Sequence, residues 1–510
     1  MTPSRSLWSN CGDGGSRPVE SPPETEDPPM VNARALWRLA GFGLAVALLP
    51  GCMGGPPAAE EADDDRFRKY AAGINAHHLC SGTFVVGRVT ERSPETVLAE
   101  DIEPFVGFAW QDDFEWEVDM EAKSATVWAA DVAPRTAKYH GDQGCTLLED
   151  GADSVRFTPV PVPRDQPPAD EQDWPLGDVG AEEPGQAGVD RAALDAALDA
   201  AMGTEQNTRA LAVVRGGKIV GERYAPGFTR NTPQISWSEG KSVTATLIGV
   251  LMQKGHFELD DPAPVAEWRE EGDPRGVITM RHLLTMSSGL DMTNLGLNGP
   301  ESLVPENEHM RVYFDALNVF EHASGQPYGI PPGTEYRYRN SDPLTLGRIV
   351  RETVENNGKE YLTHPQRMLF DRIGSRDFVL EPDPWGNFIL SGYEYGSAAD
   401  WMRFGLLHLW DGVFEGDRIL PEGWSEFVSS LSPGAKEDEY GGLWWLNLGG
   451  RYADIPRDAY WASGFMGQTT MVIPSRDVVI VRLGPSPGEF GPYLNATVSA
   501  ILAAFDDSAE

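Results

Sequence analysis

The apolar positions of residues 63–78 recur at helical spacing. Two later runs, GTFVVGRV over 82–89 and ATVWAADV over 125–132, are apolar and β-branched, which predicts strands. Together they predict a small mixed α/β domain over residues 63–162. The stretch that follows, PVPVPRDQPPADEQDWPLGDVGAEEPGQAG, is rich in proline, glycine and acid and predicts an exposed linker over 163–188. A second body begins with DRAALDAALDAAM, whose leucines and alanines keep the helix period. The strand-like runs LAVVR and KIVGERY then flank Gly216-Gly217, a dipeptide that supplies the positive backbone angles of a tight hairpin. Helical patterns alternate onward to two terminal strands, TTMVIP and DVVIVRLG, and a closing helix, ATVSAILAAF. That order predicts a sheet with helices packed on it over residues 189–507.

At 510 residues the chain is too long for one ordinary core, and its 41% apolar and 23% charged residues are a globular balance. The formal charge of -37 repels phosphates and excludes nucleic acid as a natural partner; a solvated acidic surface accounts for it.

Residues 30–51 read as an export signal: Arg34 and Arg38 precede an apolar stretch that ends in Leu49-Pro50-Gly51. The stretch is shorter than the roughly 20 residues that cross a bilayer. Its end resembles the bacterial lipoprotein box, which implies that Cys52 is lipidated and becomes the mature N-terminus. Residues 1–29 form an unusual polar extension ahead of such a signal and are set aside, with Met30 as the alternative start; residues 52–62 read as a linker. The expected location is the cell envelope, lipid-anchored at the periplasmic or outer membrane face. Cys80 and Cys145 are then left as an even pair in an oxidising compartment, and a disulfide between them is expected. His77-His78 lacks metal-ligand spacing and reads as surface or capping histidine, so neither metal nor cofactor is expected.

The chemistry centres on SWSEGKSVTATLIGVL, which keeps helical spacing after Lys241 and puts Ser238 at the helix start. Serine and lysine three positions apart share one face, about 4.5 Å apart along the axis, so the amine can take the hydroxyl proton. A helix N-terminus adds positive potential and free N–H groups. Alone, this spacing reads first as a helix cap beside a solvated lysine.

Three further segments set the context. VITMRHLLTMSSGL, 277–290, closely resembles a signature of the class C β-lactamase-like serine hydrolases, including family VIII esterases and 6-aminohexanoate-dimer hydrolases. PGTEYRYRNS, 332–341, resembles that family's PGT-x-x-x-Y-x-N segment. GFMGQ, 464–468, stands where the family has Lys-Thr-Gly or His-x-Gly, with Phe465 in place of the cation. The resemblance runs from about Asp190 to Phe505 and leaves residues 60–165 outside it. It implies that Ser238, Lys241 and Tyr338 are catalytic and that Asn340 contacts substrate. It also implies that the Gly467-Gln468 backbone joins the N–H of Ser238 in an oxyanion hole. Tyr338 must then lie close to Lys241 if its phenol is to share a proton, and His282 supports the fold by hydrogen bonding. The implied fold is α+β: an antiparallel sheet flanked by helices, with a helical subdomain between the first two motifs and the site in the cleft.

The reading is acyl transfer through a covalent intermediate on a small ester or amide. Without a basic third motif, an esterase or small-amide hydrolase ranks above a β-lactamase, with a D-amino-acid peptidase between. No segment resembles the E-x-x-L-N element of class A β-lactamases. Ser236-Trp237-Ser238-Glu239-Gly240 is one residue from an α/β-hydrolase elbow, but its first glycine is absent and no histidine follows His408. A binding protein that keeps the cleft without turnover is the other alternative, and Phe465 is its best support.

Overall fold

The computed structural model describes residues 58–103, 113–130, 132–164, 166–203, 205–296, 300–437 and 439–505. The segment over 30–51 expected to be an export signal, and Cys52, lie outside them. Among the described residues no helix is long and apolar enough to cross a membrane. Pro57–Glu510 forms one compact unit, so the segments on either side of the predicted linker share it.

The chain opens with a 27-residue helix, α1, Ala58–Phe84. It packs on a four-stranded antiparallel sheet of β1, Glu115–Asp119, β2, Ser124–Trp128, β3, Arg135–Tyr139, and β4, Cys145–Leu147. The strand predicted over 82–89 does not form: α1 runs on to Phe84 and Val86–Arg88 is a 3-10 turn. Tertiary packing overrides the β-branched propensity there, because Val85 and Val86 bury against Val379 and Tyr395 instead of pairing with a strand.

His77 and His78 are buried, which corrects the surface reading. Long-range contacts hold them, through Glu381 for the first and the Trp237 ring, at 5.2 Å, for the second. Glu381 is fully buried and receives His77 Nε2 at 2.9 Å, Ser81 Oγ at 2.8 Å and the Cys145 N–H at 2.7 Å. Such a buried carboxylate is tolerable only with this many partners. It fastens α1 and β4 to the rest of the unit. A Cβ on Gly144 would lie 2.6 Å from Glu381 Oε1, so that position needs glycine, at φ 63°. The expected disulfide is present: Cys80 and Cys145, Cα atoms 6.2 Å apart, join α1 to β4.

The larger part follows the predicted order. Helix α2, Arg191–Met202, is capped by Asp190, whose carboxylate accepts the Ala193 N–H. Strands β5, Ala210–Arg215, and β6, Lys218–Tyr224, form the hairpin, with Gly216 and Gly217 at φ 57° and 74°. Three longer helices follow: α3, Gly240–Gln253, α4, Ser341–Asn356, and α5, Ala398–Leu409. Short helices at Met280–Leu284, Glu308–Phe314 and Val319–Ser324 lie between Lys241 and Tyr338, as the resemblance implied. The chain ends with β7, Trp445–Leu446, β8, Tyr460–Gly464, β9, Gln468–Ile473, β10, Val478–Leu483, and α6, Gly491–Ala503.

The sheet is antiparallel in the order β7-β8-β9-β10-β5-β6. Alternation along β5 divides its side chains between two cores. Leu211 and Val213 join Leu194 and Leu198 of α2 and Val498 and Ile501 of α6. Ala210, Ala212 and Val214 join Phe404 and Leu407 of α5 on the other face.

The disulfide spans 65 residues of sequence, for which loop-closure entropy gives about 4 kcal/mol of stabilisation. Cys80→Ser with Cys145→Ser should lower the unfolding free energy by a few kcal/mol in denaturant titration, with the fold retained. An unchanged midpoint would show that the crosslink does not constrain the unfolded chain.

Candidate active site

Ser238 lies in the 3-10 turn Trp237–Glu239, immediately ahead of α3. Contacts on both sides fix the turn. The Ser236 N–H donates to Glu394 O at 2.8 Å, and the preceding strand, Gln234–Ile235, pairs with Glu394–Gly396. On the other side, β8 approaches so closely that a Cβ on Gly464 would sit 1.9 Å from Ser236 O. Trp237 is left-handed at φ 47°, which turns the chain into the helix and leaves Ser238 half-buried while its neighbours are enclosed.

Lys241 is 1% exposed, and its amine lies 2.9 Å from Ser238 Oγ and donates to Ser391 O at 2.8 Å. Burial lowers its pKa from the usual lysine range to about 7, against the opposing charge of Glu394. Glu394 is itself buried, and burial pushes its carboxyl up to about 8 despite a bond from Ser236 Oγ at 2.9 Å. A Cβ on Gly240 would meet Glu394 Oε2 at 1.8 Å, so only glycine lets this carboxyl lie at the start of α3. Burial also raises Glu239, the next acid along, well above the usual range. Burial thus favours the neutral form of both acids, and little negative charge is left to hold a proton on Lys241.

Tyr338 closes the third side. Its ring centroid is 5.1 Å from Lys241 Nζ, which meets the expected proximity, and the ring packs against Tyr440, Trp445 and His309. Burial raises the phenol above its ordinary pKa, and a hydrogen bond with Ser238 only partly offsets that. Tyr338 is thus a neutral donor at rest and not a phenolate.

The remaining sequence-derived positions fall around this trio. Asn340 is fully buried, with Nδ2 donating to His309 O at 2.7 Å. Phe465–Gly467 makes a tight turn into β9, with Met466 and Gly467 at φ 58° and 88°. The Gln468 side chain is held inside the protein by Gly484, accepting its N–H at 2.9 Å and donating to its carbonyl at 3.0 Å, so any contact with substrate falls to the backbone. Phe465 packs edge-on to Trp237, ring centroids 5.9 Å apart. His282 completes a capping box with Thr279.

Sequence reasoning missed Glu394, Ser391, His309 and Tyr313. Tyr313 donates to the same Ser391 carbonyl as Lys241, at 2.8 Å. None of these sits in a recognisable motif, since their relation to Lys241 arises only from the fold.

A family model described as Beta-lactamase matches residues 194–502. The 6-aminohexanoate-dimer hydrolase of Paenarthrobacter ureafaciens is 26% identical over 321 residues, which is 58% of this chain and 78% of that enzyme. A solved structure from Bacillus anthracis, provisionally named a 6-aminohexanoate-dimer hydrolase, is similar in fold with a TM-score of 0.51 and 22% identity. The similarity covers 61% of this chain and 81% of that one.

Proposed function

The chain belongs to the Beta-lactamase family and is a serine hydrolase, and we propose that it cleaves small esters or amides through an acyl-enzyme at Ser238. The observation that carries this reading is the 2.9 Å approach of the Lys241 amine, lowered to about 7, to Ser238 Oγ. A neutral amine has two N–H groups and one lone pair. One N–H stays on Ser391 O while the lone pair takes the Ser238 proton as Oγ bonds to the substrate carbonyl carbon. The N–H groups of Ser238 and Gln468 receive the resulting oxyanion. Tyr338, still protonated, gives its proton to the leaving oxygen or nitrogen and recovers one from the lysine ammonium. Water then adds to the acyl group, its proton passes to the same pair, and the proton returns to Oγ as the acid leaves.

With Phe465 in place of a basic residue, the site lacks the cation there that would hold a substrate carboxylate. Esters and small amides therefore rank above β-lactams and D-amino-acid peptides as substrates. The same proposal places the protein in the cell envelope through lipid on Cys52. That part rests on the sequence of residues 30–52, and fatty-acid labelling in the native host should mark the wild type and leave Cys52→Ser unlabelled. Equal labelling of both would remove the anchor from the proposal.

Ser238→Ala should abolish hydrolysis of a p-nitrophenyl ester, and Lys241→Ala and Tyr338→Phe should each lower kcat on the order of a hundred- to ten-thousand-fold. Below about pH 7 Lys241 is protonated and cannot accept, so kcat/KM should rise as pH increases through about 7. Glu394→Gln keeps the neutral state that burial already favours at this carboxyl and should leave this limb nearly in place near pH 7. Wild-type turnover in Lys241→Ala would return Ser238 and Lys241 to a helix cap and a buried amine.

A further inference from the structure

A cavity with about 520 Å³ of open space, its mouth included, lies between the N-terminal segment and the strand that leads into Ser238. His78 and Val86 come from residues that the family match does not cover, and Gln234, Trp237 and Tyr395 from those it does. Gln234 is only 5% exposed, yet neither Nε2 nor Oε1 of its side chain has a hydrogen-bond partner among the described residues. Its backbone is fixed by pairing with Gly396, which holds the side chain at the cavity. A buried amide with both ends unpaired costs free energy that a complementary ligand would recover.

The other groups in the cavity define that ligand. Arg92 and Arg209 line it, but Asp101 and Glu100 already engage them. Arg92 Nη2 reaches Glu100 at 2.8 Å, and Arg209 Nη2 reaches Asp101 at 2.5 Å. Two guanidinium groups against two carboxylates leave no charge for an ionic ligand to neutralise. Both arginines also lie over the ring of Phe228, at 5.6 and 4.8 Å from its centroid. Burial lowers His78 to about 3, so the ring stacked on Trp237 is neutral. The walls are thus charge-balanced and largely aromatic, and the Gln234 amide offers a donor beside an acceptor.

We propose that this cavity is a binding site for a small, flat, uncharged carboxamide, held on Gln234 by one N–H···O bond in each direction and flanked by Trp237 and Tyr395. The site gives the N-terminal segment a chemical role, and it stands whether or not Ser238 is a nucleophile.

Benzamide is the probe, titrated calorimetrically into the full chain and into its Ser238→Ala form. Saturable binding to both is expected. Acetophenone, which lacks the N–H, and benzoate, which carries a charge, should each bind about tenfold more weakly or worse. Gln234→Met, close in shape, should weaken benzamide by about tenfold and leave acetophenone unaffected. Val86→Phe fills the cavity from the N-terminal side and should remove binding of both, which keeps the test intact if the Gln234 variant does not fold. Absence of saturable benzamide binding to the wild type would overturn the proposal. So would wild-type affinity in a folded Gln234→Met or Val86→Phe, or benzamide bound no better than acetophenone. Because Ser238→Ala retains the cavity, loss of hydrolysis and loss of binding are separate results.

Discussion

An ammonium group is stable because water surrounds it, and at 1% exposure Lys241 has lost nearly all of that water. What the protein returns in exchange is limited: one carbonyl, that of Ser391, one hydroxyl, that of Ser238, and the face of the Tyr338 ring. The one carboxyl placed to compensate, Glu394, is also buried and is itself held toward neutrality, with a pKa of about 8. The site is therefore one in which a proton on nitrogen is poorly supported, and that is the condition for a lysine to act as a base beside a serine. Several backbone features serve this arrangement. Gly240 admits the Glu394 carboxyl at the start of α3, Gly464 admits β8 against Ser236, and left-handed Trp237 exposes Ser238 to the cleft.

Where the controlling physics is local, the sequence is readable. Gly216-Gly217 makes its hairpin because two positive φ angles are required there and glycine meets them at little cost. The period of DRAALDAALDAAM fixes a helix, and the i, i+3 spacing of Ser238 and Lys241 survives in the fold even though Ser238 sits in a 3-10 turn ahead of α3. Where distant residues decide, the reading fails. Val85 and Val86 have strand-forming side chains, but the end of α1 places them in a pocket made by Val379 and Tyr395. His77 and His78 look like polar surface until Glu381, some 300 residues later, is folded beneath the first of them. Glu394 carries no motif at all, and its relevance depends on a strand pairing with residues 234–235.

The N-terminal segment illustrates the same limit. A Pro- and Gly-rich stretch divides it from the hydrolase portion in sequence, yet Glu381 and the Trp237 ring, both from the latter portion, receive α1 directly. The residue next to Ser238 is thus packed partly by a helix outside the family match. The family match spans residues 194–502, and the walls of the cavity beside Trp237 include His78 and Val86, which lie outside it.

The account rests on a neutral, buried Lys241, and the direct measurement is its titration by NMR in protein carrying ¹³C-labelled lysine side chains, with Lys241→Met used to assign the signal. Its amine should lose its proton near pH 7, more than three units below the value of about 10.4 for a solvated lysine. A Lys241 still protonated at about pH 10, as a solvated lysine is, would contradict the account at its centre.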